Sequence, residues 1–125
     1  MTQQLLGQCE KLMHQIEEGC ARVRRLREVQ AEIQETFGLF SLFGEDGELE
    51  RIIERNEARV AEYAKLASRL DEWIGTIKDP VIRRALGLRY LDGLTWPQVA
   101  ARMGYSGESG ARMVVSRFIE KLPEK

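Results

Sequence analysis

Between residues 48 and 77 the apolar positions recur every three or four residues without a lapse. Leu49, Ile53, Asn56, Val60, Tyr63, Ala67, Leu70, Ile74 and Ile77 follow spacings of 4, 3, 4, 3, 4, 3, 4 and 3. A 3.5-residue repeat kept over four heptads specifies a helix with a coiled-coil seam. The pattern predicts one long helix over about Glu48 to Ile77. Asn56, the polar member of the seam, is placed to fix register by pairing with another polar group. Ile52, Leu66 and Trp73 widen the stripe, so more than one neighbour is expected.

A second helix of similar length is predicted from about Gln3 to Phe37. Leu6, Cys9, Met13, Ile16, Cys20, Val23, Leu26, Ile33 and Phe37 stand mostly three or four apart. Gly19 costs up to ~1 kcal/mol in a helix interior and is compatible with a bend. Residues 38–47 contain three glycines and read as a connection. Leu39, Phe40, Leu42 and Phe43 within it either tuck against the helix ends or form an apolar tip for a partner or second copy. The simplest arrangement is a long antiparallel, coiled-coil-like helical hairpin spanning residues 1–77, suited to assembly as a homo-oligomer, with a dimer favoured.

Asp79-Pro80 punctuates the chain, since Asp is a good N-cap and Pro fits the first helical position. A helix is predicted from Pro80 to Leu91, closed by Gly93. Thr95-Trp96-Pro97-Gln98 is a second start signal, with Thr95 and Gln98 in capping-box positions. That short helix stops at Gly104, and a last one begins between Ser106 and Ser109 and ends near Leu122. Ala111, Val115, Phe118 and Leu122 form its inward stripe. The expected fold is therefore all-α: the hairpin, then a small three-helix module over 78–125 with helix-turn-helix order.

The net charge of -1 conceals an uneven distribution. Residues 1–77 carry 10 basic and 15 acidic side chains, and residues 78–125 carry 9 basic and 5 acidic. A basic end on an acidic arm suits a nucleic-acid binder with a confined contact surface. If the last helix enters the major groove of double-stranded DNA, it presents Ser109, Gly110, Arg112, Met113, Ser116 and Arg117. Arginine contacts a guanine edge bidentately, serine bonds several base edges, and methionine packs on a thymine methyl. Ser106 and Ser109 can instead hold a phosphate at the helix start. Gln98, Arg102 and Lys121 suit backbone contacts, as do Arg83, Arg84 and Arg89 where they face the duplex. The other basic run, Arg22 to Arg27, is flanked by Glu17, Glu18, Glu28 and Glu32 and reads as an internally paired, solvated face.

The stretch Leu88 to Ser106, LRYLDGLTWPQVAARMGYS, resembles the C-terminal helix-turn-helix of sigma factors, which reads the −35 promoter element. It is still more similar to small phage-encoded transcriptional regulators of the RinA and ArpU kind. The matching residues are Leu88-Arg89-Tyr90, Gly93, Thr95-Trp96, Val99-Ala100 and Gly104-Tyr105-Ser106. This resemblance implies sequence-specific DNA binding in transcription control, with RNA polymerase as a further partner. The departures are Gly107-Glu108-Ser109-Gly110, one residue longer than the usual turn, and Pro97 in place of a polar residue. The competing functions are DNA packaging, as a small terminase-like recognition subunit, and a scaffold that touches polymerase.

Other classes find little in the chain. The lone His14 has no paired nucleophile, and no glycine-rich loop has a nucleotide-binding context, so no enzyme activity and no cofactor are expected. Cys9 and Cys20 lie 11 residues apart, about 16 Å along a helix, too far for a mutual disulfide, and with His14 they make poor metal-ligand spacing. Both are expected as core thiols. No apolar run approaches a membrane span and no leader pattern opens the chain, so the expected compartment is the cytoplasm.

Overall fold

A computed structural model describes residues 1–37 and 47–125. The apolar Leu39–Phe43 segment lies outside the described residues. The fold is all-α: six α-helices among the described residues, and no strand. They are α1 (Gln3–Gln8), α2 (Leu12–Phe37), α3 (Glu48–Gly75), α4 (Pro80–Leu86), α5 (Trp96–Met103) and α6 (Glu108–Glu120). A wide π-helical turn over Gly87–Leu91 continues α4.

The chain divides into two compact units. Unit 1 joins residues 1–14 to residues 65–125, and unit 2 comprises residues 15–64. The division falls inside both α2 and α3, whereas the sequence punctuation marked residue 78.

The described residues of unit 2 form two helices running antiparallel. As residue number rises along α2, its partners on α3 descend, from Arg22 with Asn56 to Gln30 with Glu50. Gly19 is buried against Val60. A Cβ at this position would stand 2.5 Å from Val60 Cγ2, so packing against Val60 favours glycine here. Asn56, 8% exposed, donates to the Ile52 carbonyl at 2.7 Å and accepts a long bond from Arg22 Nη1 at 3.5 Å. The polar seam position is thus paired across the two helices. The basic run uses α3 in place of its own glutamates, through Arg22 and an Arg27–Glu57 ion pair at 3.1 Å.

In unit 1 the expected single helix from Gln3 to Phe37 is interrupted. Cys9, Glu10 and Lys11 form a turn whose bonds run from Cys9 to Leu6 and from Leu12 to Cys9. Leu6, Cys9 and Leu12 are almost wholly buried. Residues three apart eclipse one another in a tight i→i+3 turn but drift around an α-helix, which accounts for the local tightening. The thiols differ, since Cys9 is buried and Cys20 is exposed, so the core expectation is corrected for Cys20.

The start of α1 is capped by distant chain. The amides of Gln3 and Gln4 donate to the carbonyls of Pro123 and Glu124, and Gln3 Nε2 donates to Leu122. Thr2 Oγ1 accepts from Leu5 N–H. At the other end of α3, bonds from Thr76 to Trp73 and from Ile77 to Ile74 end the helix and leave Ile77 buried. Asp79 then caps α4, accepting from Val81 and Ile82.

The expected helix from Pro80 to Leu91 widens at Gly87, where the Asp92 amide reaches back five residues to the Gly87 carbonyl. Leu88 and Tyr90 are both buried with Arg89 half-buried between them, so this turn is enclosed on several sides. Gly93, at φ 70°, reverses the chain into Leu94, whose amide donates to the Leu88 carbonyl.

Candidate functional site

The strongest concentration of chemistry lies on α5, the turn after it, and α6. Thr95 and Gln98 close a reciprocal capping box, with Gln98 N–H donating to Thr95 Oγ1 at 3.4 Å and Thr95 N–H donating to Gln98 Oε1 at 2.9 Å. Two orphan amides of the first turn are thereby satisfied. α5 stops at Gly104, which sits in the left-handed region at φ 78°. The Tyr105 amide donates to the Ala100 carbonyl and the Gly104 amide to Ala101, the paired bonds of a Schellman stop.

α6 begins at Glu108 after Gly107, which offers no side-chain cap. It packs against both α5 and α4. Its inner edge carries Ala111 and Val115, at 1% and 0% exposure, opposite a sealed α5 face of Val99 and Ala100. Trp73 and Phe118 pack with ring centroids 6.0 Å apart. This fixes which side of α6 faces outward.

Ser109, Arg112, Met113, Ser116, Arg117 and Lys121 are exposed, Met113 by 51%. The first five lie on one surface, because residues three and four apart are helix neighbours. Among the described residues neither Arg112 nor Arg117 has a hydrogen bond or ion pair. Ser106 is exposed in the turn just before the helix. Gly110 departs from the expectation of an outward position. It is half-buried, and a Cβ on it would point at the Tyr105 ring, 3.0 Å from Cδ1. Gln98 and Arg102 are exposed and line a shallow groove with Leu94 and Ala101. The Gln98 amide oxygen is already engaged by the capping box.

The three arginines upstream are committed within the unit. Arg83 Nη1 donates to the Ile77 carbonyl at 2.9 Å, and Arg84 Nη2 to the Arg102 carbonyl at 3.0 Å. Arg89 is the most enclosed, with its side chain 19% exposed. It donates to the Leu94 carbonyl at 2.9 Å, pairs with Glu10 at 2.7 Å, and lies 5.2 Å from the Trp96 ring centroid. Its Nε is buried without a partner. Arg89 therefore anchors the fold and is unsuited to the backbone contact its charge suggested. Glu10, which holds it, stands 79 residues away, so spacing gave no sign of the pair.

Sequence reasoning also passed over Glu120, exposed one turn beyond Ser116, and Glu108 in the first turn. The i,i+4 step from Ser116 was the signal for Glu120. These acids stand at the two ends of α6, with the exposed Lys121 just beyond Glu120. Close by in the unit, burial pushes the Tyr90 phenol up, with the Glu10 carboxylate adding to the effect, and burial raises the Cys9 thiol. Neither group faces the exposed surface of α6.

Among the described residues no cluster of His, Cys, Asp or Glu has the makings of a metal site, and no helix is long and apolar enough to cross a membrane. No protein-family model, no curated protein and no solved structure matches the chain.

Proposed function

We propose that α5, the turn through Gly107, and α6 form a helix-turn-helix that binds double-stranded DNA, and that the protein is a transcriptional regulator of the phage type its C-terminal stretch resembles. In this reading the fold is a long helical hairpin followed by a three-helix module, and α6 lies in the major groove. RNA polymerase is a further partner that the resemblance implies. The observation that carries the reading is the two-sidedness of α6. One face is fully buried by Ala111 and Val115, and the other holds Arg112, Met113, Ser116 and Arg117 exposed, with both guanidinium groups free of internal partners.

The chemistry of that face divides into base reading and backbone holding. Arg112, nearer the helix start, has the reach for a guanine edge, and Met113 beside it suits a thymine methyl. Arg117, one turn later, suits a phosphate, with Arg102 and Lys121 as flanking backbone contacts. Gln98 contributes through its exposed edge while its oxygen holds the cap.

Selection of bound duplexes from a random pool is the direct test, and a recovered motif is the expected result. On that motif Arg112→Ala should cost about 1–3 kcal/mol and narrow the preference over a scrambled duplex. Arg117→Ala should weaken both duplexes alike and flatten the salt dependence by about one unit. Both variants should unfold within ~0.5 kcal/mol of the parent. Full affinity and preference in the folded double variant would remove this face from the contact.

A further inference from the structure

Unit 2 is two helices with very little core of their own. Among its described residues only Gly19, Ile53 and Asn56 are buried. Val29, Ile33 and Leu49 remain half-buried, and Ile52 is 36% exposed. Val29, Ile33, Leu49 and Ile52 line one shallow groove between α2 and α3. Apolar surface gathered in this way on a helix pair is ordinarily closed by further helices, as in a four-helix bundle.

The charges around the groove indicate what closes it. On α2, Arg25 lies one turn before Val29 and Glu32 one turn after. On α3, Glu48 lies one turn before Ile52 and Arg55 one turn after. All four are exposed. Because the helices are antiparallel, both arginines fall on one side of the Val29–Ile52 pair and both glutamates on the other, where Glu48 itself lines the groove. We propose that a second copy of the chain occupies this groove, related by a two-fold axis that crosses the helix pair at Val29 and Ile52.

That axis lays each helix antiparallel on its own copy. Arg25 and Arg55 of one chain then meet Glu32 and Glu48 of the other, and the reverse contact repeats by symmetry, as an isologous interface requires. An axis running along the helices would set arginine on arginine and glutamate on glutamate, which like-charge repulsion disfavours. The exposed ion pairs add little affinity individually, while the apolar groove supplies it and the charges select the arrangement. Glu48 is held in its own helix only by an exposed pair with Arg51 at 2.9 Å, which exchanges readily. DNA binding has no part in this inference.

The test is sedimentation equilibrium of the full chain over a concentration series, with two charge-reversed forms. Arg25→Glu with Arg55→Glu makes both sides of the Val29–Ile52 pair acidic, and Glu32→Arg with Glu48→Arg makes both basic. The parent should dimerise, and each variant alone should self-associate at least tenfold more weakly. An equimolar mixture of the two variants should re-form a dimer containing one of each. Ile52→Gln, a change at a partly exposed position, should weaken the parent dimer similarly should either charge variant lose its helical circular dichroism. A monomeric parent at all concentrations would mean that something other than a second copy covers the groove, and would overturn the proposal. So would variants that dimerise as the parent does, or folded variants that fail to associate when mixed.

Discussion

Of the 15 apolar side chains buried among the described residues, 14 belong to unit 1 and one, Ile53, to unit 2. Along α3 the hydrophobic pattern does not change between the units, because one uninterrupted repeat runs through both. Leu70, Ile74 and Ile77, at its unit 1 end, are buried, while Val60 and Tyr63 in unit 2 are only half-buried. Periodicity decides which side of a helix is apolar, and the number of neighbours decides how far that side leaves water. Unit 1 brings α6 against its part of α3, through Trp73 and Phe118, whereas among the described residues of unit 2 each helix has a single helical partner. Within unit 1 the arginines divide in turn. Arg83, Arg84 and Arg89 of unit 1 are drawn onto backbone carbonyls, and Arg112 and Arg117 of the same unit project from α6 with no internal bond.

The contrast in enclosure is tested most severely by a charge placed in each unit's interior. Val99→Asp forces a carboxylate into a site with 0% exposure and should cost more than ~4 kcal/mol, enough to unfold unit 1. Both tryptophans, Trp73 and Trp96, belong to unit 1, so the near-ultraviolet circular dichroism should vanish. An unchanged signal and Tm would show that Val99 is not core.

A smaller effect is expected from Gly19→Ala in unit 2. Alanine favours a helix over glycine by up to ~1 kcal/mol, but its methyl would meet Val60 Cγ2, and overpacking of this kind costs about 1–3 kcal/mol. The net change should be destabilising, and Val60→Ala in the same chain should recover much of it. A gain in stability from Gly19→Ala alone would mean that Val60 gives way more easily than the contact at Gly19 indicates.

The smallest effect belongs to pH and separates the units by their buried acids. Tyr90 of unit 1 ionises less readily in the folded chain than its ordinary value of about 10, owing first to burial and then to Glu10. The unfolded chain loses that proton first, so this stabilisation is complete below about pH 10 and is lost as pH rises through the folded value. The buried Cys9 thiol acts in the same sense. Tyr90→Phe should flatten the alkaline decline in Tm and leave the neutral value nearly unchanged. An identical alkaline slope in the variant would exclude Tyr90 as its cause.

The all-helical class, the long helix from Glu48, the caps at Asp79 and Thr95 and the stop at Gly104 were legible in the chain itself. Each rests on interactions within a few residues, which spacing and residue type specify directly. The outward position of Arg112, Met113, Ser116 and Arg117 was legible for the same reason, since one apolar stripe on α6 determines its opposite face. The partners that came from far along the chain were not legible. Gln3 meets Pro123, Glu10 meets Arg89, and Val60 favours a glycine at position 19. Local periodicity carries no information on which distant segment supplies a carbonyl, a carboxylate or a methyl group. The turn at Cys9 and the withdrawal of Arg89 from solvent were therefore decided only when the helices packed, because Glu10, within that turn, holds Arg89 from 79 residues away.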